Sequence, residues 1–132
     1  MAKISVHCRD CESILGRPFT DVHKWLDEMN SVFPFQVFSD YHRSFRHNSY
    51  GIAILRDISI MHEIAGRIHL IRDYYHMLNR RDYINNMPEI IRKSNIVLVY
   101  FNNLEKFDVQ IPHLFKDNDG LMEKASKGLR YG

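Results

Sequence analysis

Ser59-Ile-Met-His62-Glu-Ile-Ala-Gly-Arg67-Ile-His69-Leu-Ile-Arg-Asp73-Tyr-Tyr75-His76 carries the clearest helical pattern in the chain. Met61, Ile64, Ala65, Ile68, Ile71 and Tyr75 recur at three- and four-residue steps, the period of one helix face. Ser59 offers a capping hydroxyl at the start, and Asn79 or the arginines after it stop the helix. Moving outward, a second helix is predicted to start at Ser39 or Asp40, with Tyr41, Phe45, Ile52 and Leu55 on its inner face and Ser49 between them. Before it, Phe19, Val22, Leu26, Met29 and Phe33 mark another helix, with Thr20 as N-cap and Pro34 ending the run. Gly16 to Pro18 punctuate the chain ahead of that helix, and Lys3 to His7 read as a short strand or an extended lead-in.

On the other side, Asp82 to Met87 read as a short fourth helix, and Pro88 can open another turn. Residues 96–101, IVLVYF, form a continuous apolar run of β-branched and aromatic residues, read here as a buried strand that 107–111 could pair with. Residues 116–132 are polar and glycine-containing, a composition that frays. The expectation is a mainly α protein: a compact bundle of about four helices with a short β-strand or hairpin appendage near the C-terminus. Residues 1–132 form a single domain, with a helical core over 7–87 and a β-containing extension over 88–132 that has a flexible end.

The 132 residues, 45% hydrophobic and 26% charged, suit a soluble domain able to bury a core. A formal net charge of +2 is too small to mark a nucleic-acid binder. No stretch approaches the apolar length of a membrane span, and the N-terminus lacks a signal-peptide core. Two cysteines, Cys8 and Cys11, are too few for a disulfide framework, so reduced thiols in a cytosolic setting are expected. The distinctive number is eight histidines, most of them between His23 and His76.

His23 and Asp27 stand four apart on one predicted helix, and His69 and Asp73 four apart on another. Residues at that spacing share a helix face, with Cβ atoms roughly 5–6 Å apart. An imidazole nitrogen and a carboxylate oxygen so placed can grip a divalent cation such as Zn²⁺ or Mn²⁺. Two such pairs converging in a bundle, with His47 completing the shell, would make a metal site. Each pair is equally readable as a helix-surface hydrogen bond contributing about 0.2–0.5 kcal/mol.

Between them lies His42-Arg43-Ser44-Phe45-Arg46-His47. Arg43 and Arg46, with His42 beside them, suit recognition of a phosphate-containing small molecule, because guanidinium offers a bidentate fork. Structural salt bridges from Arg43 to Asp27 or Asp73 explain the same residues. Gly51, four residues after His47, lets a neighbour or a ligand approach. His62, His76 and the cluster Arg80, Arg81, Arg92 and Lys93 read as solvated faces. Asp117 to Gly120 echo a calcium loop but lack its closing glutamate. There is no phosphate-binding glycine loop, nucleophile elbow or H-E-x-x-H motif, and no adjacent His-Asp dipeptide of the HD phosphohydrolases.

The segments His23-Lys-Trp25-Leu-Asp27, His42-Arg43-x-x-Arg46-His47-x-x-x-Gly51-Ile52 and His69-x-x-x-Asp73 together resemble an uncharacterised domain family of phages and bacteria. His7 with Glu12-Ser13 and Asp82-Tyr83 fit its two ends, so the resemblance spans about residues 7 to 87. Members often carry glutamate near the position of Arg67 and a second histidine at that of Asn48, and here the chain departs from them. The resemblance implies no activity. It does imply that His23, Asp27, His42, Arg43, His47, His69 and Asp73 belong to one recurring pattern, and a phage origin, hence a host cytoplasm. Two functions follow as expectations: a metal-dependent hydrolase acting on a phosphate-containing substrate, or a non-enzymatic interaction protein that binds a host or defence factor, or a second copy of itself.

Overall fold

The stretch that opened the sequence reading is one helix buried on nearly every side. In a computed structural model, which describes residues 3–27, 46–77 and 86–103, the helices are α1 (Ile4–Leu15), α2 (Thr20–Asp27), α3 (Ser49–Ile58), α4 (Ile60–Met77) and α5 (Met87–Asn103). Helix α4 packs against each of the other four. That central position explains why its buried residues include His62, Glu63, Arg67, His69 and Asp73 as well as Ile64, Ala65, Ile68, Leu70 and Ile71. Ser59 caps it: its Oγ accepts the His62 backbone N–H at 3.1 Å. The mainly helical bundle expected from the sequence is present, and among the described residues there is no strand.

Three expectations are corrected. Only Lys3, the N-cap, has extended backbone; Ile4 to His7 do not form a strand. They open α1, which ends at Gly16, a left-handed residue (φ 83°) whose N–H closes on the Glu12 carbonyl, the position where glycine stops a helix without penalty. Residues 96–101 are not a strand: they continue α5, with Val97, Leu98 and Phe101 buried and Ile96, Val99 and Tyr100 exposed. Ile90, Ser94, Val97 and Phe101 line one face at helical spacing, and packing against α4 selects helix over the β-propensity of the run. Finally, the helix carrying Ile52 and Leu55 does not run on from Ser39: α3 starts at Ser49, with Asn48 as N-cap accepting the Gly51 N–H at 2.9 Å. The pairing segment 107–111, the calcium-like loop and residues 82–85 of the short helix expected over 82–87 lie outside the described residues, while Met87 opens α5.

Two glycines set close approaches. A Cβ at Gly66 would fall 2.5 Å from Leu55 Cδ1 and 3.0 Å from Ile52 Cδ1, so glycine there fixes the α3–α4 spacing. A Cβ at Gly51 would overlap the Arg46 carbonyl oxygen. The neighbour that Gly51 admits is therefore the chain's own backbone beside His47. No described helix is long and apolar enough to cross a membrane.

Candidate metal centre

Four backbone segments deliver six side chains to one buried place. Helix α1 brings His7, α2 brings His23 and Asp27, the turn before α3 brings His47, and α4 brings His69 and Asp73. The i, i+4 spacing puts His69 and Asp73 on one face, but the two expected pairs do not act as separate units. Asp27 Oδ1, His47 Nε2, His69 Nε2 and Asp73 Oδ2 form a single cluster. Its separations are 3.1 Å between the two nitrogens, 3.4 and 3.2 Å from Asp27 to His47 and His69, and 3.1 and 3.3 Å from Asp73 to the same two atoms. His47, His69 and Asp73 are fully buried, and Asp27 is 10% exposed.

His23 reaches the centre by another route. Its Nε2 lies 3.0 Å from the Pro18 carbonyl, which can only accept, so Nε2 carries the proton and Nδ1 a lone pair. That lone pair faces His69 Nδ1 at 2.9 Å, so His69 Nδ1–H donates to it. The chain from Pro18 through His23 thereby turns His69 Nε2 toward Asp27, His47 and Asp73. A ligating histidine is commonly oriented in this way through its other ring nitrogen. The Pro18 carbonyl is set by the turn at Phe19, whose φ of 52° is left-handed and whose own carbonyl accepts the first N–H groups of α2. Thr20 is thus the first helical residue, and Phe19 takes the cap position.

The electrostatics follow from burial set against neighbouring charge. Burial opposes ionisation of Asp27 and Asp73, yet His47 and His69 outweigh it and hold both carboxyls well below the usual carboxylate range. Burial also opposes charge on His69, but Asp73 and Asp27 raise its pKa to about 9. His23 goes the other way: burial, then the charge on His69, lower it to about 2 and keep it neutral. His7 is lowered by the same two causes. Asp27, Asp73 and His69 are therefore all charged in the metal-free cluster, −1 between the three, and a divalent cation replacing the His69 proton brings these three with it to zero.

Arg46 is fully buried, 4.5 Å over the Trp25 ring with Nη1 donating to the Trp25 carbonyl at 2.9 Å, and so braces the α2 end that carries Asp27. His42 and Arg43 lie outside the described residues. Lys93, expected on a solvated face, is buried: it pairs with Glu89 at 3.0 Å and lies over the Tyr75 ring. His62 is likewise buried, with Nδ1 2.6 Å from Ser59 Oγ. Cys8 and Cys11 are free thiols, and burial raises that of Cys11 above its ordinary value.

His7 is the member that the sequence reading did not place in the site. It is stacked on His69 with ring centroids 3.6 Å apart, and its Nε2 is 3.1 Å from Asp73 Oδ1. Its signal was legible once 4–15 is read as a helix, because His7 and Cys11 then share the inner face with Ile14.

These features define a class, a small helical domain with a buried His/Asp grouping that can hold a metal ion. No protein-family model, curated protein or solved structure matches the chain.

Proposed function

We propose that the protein is a divalent-metal-binding domain and that Asp27, His47, His69 and Asp73 hold the cation. The observation that carries this is the set of separations in the cluster. Ligands at 2.0–2.1 Å around one ion stand about 3.3–3.4 Å apart in a tetrahedron and about 3.0 Å apart in an octahedron. The distances here, 3.1 to 3.4 Å, fall in that range. Hydrogen bonds alone do not account for them. Each Nε2 carries at most one hydrogen, yet the two nitrogens face each other and both carboxylates. Bringing two carboxylates together out of water costs several kcal/mol, a cost that natural folds accept at functional sites. A mixed nitrogen and oxygen set suits Zn²⁺, Mn²⁺ or a similar ion.

The chemistry that fits best is metal-dependent hydrolysis of a phosphate-containing substrate. A bound divalent ion supplies water activation and neutralises charge on a phosphoryl oxygen. Asp27, the one partly exposed member of the cluster, marks the side from which substrate enters. Nucleotides and phosphodiesters incubated with the Mn²⁺- or Zn²⁺-loaded protein test this. Hydrolysis that chelator abolishes and Asp27→Asn lowers is expected. A loaded protein inert on the whole panel overturns the hydrolase reading and leaves the metal reading standing.

A second reading rests on Ile96, Val99 and Tyr100, which are 51%, 63% and 40% exposed on one face of α5. An exposed apolar face of this kind marks protein contact. It supports an interaction protein that binds a host or defence factor or a second copy of itself, the His/Asp centre then stabilising its fold.

A further inference from the structure

Three ligand-type groups at the centre lie outside the four-atom cluster: the ring of His7, Nδ1 of His23, which faces His69 Nδ1, and Oδ1 of Asp73, which faces His7. His7 is fully buried, and among the described residues neither of its ring nitrogens makes a hydrogen bond. An imidazole buried in that way costs about 1–3 kcal/mol. Its Nε2 approaches Asp73 Oδ1 to 3.1 Å without the alignment of a hydrogen bond, a separation again typical of two ligands on one ion. Asp73 presents its other oxygen to His47 and His69. The two oxygens of one carboxylate therefore face two different sets of imidazoles.

His23 completes the second set. Its Nε2–H on the Pro18 carbonyl is the outer hydrogen bond that ligating histidines make, and it directs the Nδ1 lone pair inward. One ring nitrogen from each of His7, His23 and His69 lies within 4.8 Å of the others, and the three rings are within 20° of parallel.

We propose that the centre takes a second divalent cation, held by His7 and His23 and joined to the first through the bridging carboxylate of Asp73. This deepens the metal reading above and rests on it. In the metal-free protein the His23 lone pair accepts the His69 Nδ1–H. The two Nδ1 atoms are 2.9 Å apart, so a cation on the His23 lone pair also meets His69 Nδ1. The Nδ1 proton leaves to solvent as the ion binds, and His69 joins the second set through Nδ1 while Nε2 stays with the first. Two cations against two carboxylates and the His69 imidazolate leave a charge of +1, which suits an anionic phosphate ester. Phosphate esters are the ligand class this pair would take.

The test is to strip the full chain with chelator, load it with Mn²⁺, count the bound ions and record the electron paramagnetic resonance spectrum. Two Mn²⁺ per chain with an exchange-coupled spectrum are expected, falling to one uncoupled Mn²⁺ in His7→Gln. One uncoupled ion in the unmutated protein overturns the second position and leaves the first centre standing. No bound ion overturns both. Two coupled ions retained in a folded His7→Gln overturn the assignment of His7. Should that variant not fold, the count and coupling of the unmutated protein decide.

Discussion

Helix α4 carries two buried polar clusters, and they close their valences differently. Toward α5, Arg67 donates Nε to Glu63 Oε2 at 3.0 Å and Nη1 to Ser94 Oγ and Asn95 Oδ1 at 2.7 and 3.0 Å, while Arg56 Nη2 reaches the same Glu63 oxygen at 2.9 Å. Every contact there pairs a nitrogen hydrogen with an oxygen lone pair, so the cluster is complete with the atoms it has. Toward α1, α2 and the turn before α3, nitrogens face nitrogens, and two imidazole edges share two carboxylates. Glu63, Arg67 and Ser94 are buried in the first cluster as the imidazoles are in the second, and both contain charged groups. Burial of polar side chains alone therefore does not mark a site. The mark is a set of ligand-type atoms gathered 3.1 to 3.4 Å from one another, nitrogen facing nitrogen, which is the spacing of groups around one cation.

Substitutions on either side break this contrast in different ways. The largest effect is expected from Asp73→Ala, which removes an oxygen from each proposed cation position. Its affinity for Zn²⁺ or Mn²⁺ should fall by more than about 100-fold, beyond the 10–100-fold that loss of an outer partner costs, as read by calorimetric titration. Arg67→Ala leaves the Glu63 carboxylate with Arg56 as its remaining cation and removes the donor to Ser94 and Asn95. Denaturant unfolding should show a loss of about 2 kcal/mol, the same with and without chelator, with metal content unchanged. Gly51→Ala drives a methyl into the Arg46 carbonyl next to His47. A cost of about 2 kcal/mol is expected together with weakened metal binding, which separates it from Arg67→Ala.

The smallest effect is a pH profile. In chelator, His7 and His23 stay neutral in the fold but protonate in the unfolded chain, so stability falls as pH drops below about 6.5. His69 is raised, so its contribution is complete below about 6.5 and is lost as pH climbs through about 9. Metal-free stability should peak near pH 6.5 in thermal melts. Saturating cation should shift the peak upward, because binding needs the deprotonated His69.

Much of this was legible in the sequence. The period of 61–75 fixed α4, and His69-x-x-x-Asp73 could only share a face. Other parts were hidden for identifiable reasons. Residues 96–101 are apolar at every position, and such a run carries no period to separate strand from helix. Only Ile90 and Ser94 before it reveal the three- and four-residue steps. His23 and Asp27 share a face as expected, yet one turn of helix sends them to different atoms of His69, a distinction that belongs to tertiary packing. His7 was obscured because the lead-in looked extended. Arg46 looked like an anion receptor, and nothing local foretold the Trp25 ring that covers it.

The most direct test is the metal content of the purified untagged protein, measured by elemental analysis before and after chelator and again after titration with Zn²⁺ and Mn²⁺, alongside Asp73→Ala. Near-stoichiometric divalent metal that chelator removes, titration restores and the variant does not hold is the expected result. A folded protein that arrives metal-free and binds neither ion on titration would contradict it, and would leave the six buried side chains as a hydrogen-bonded core.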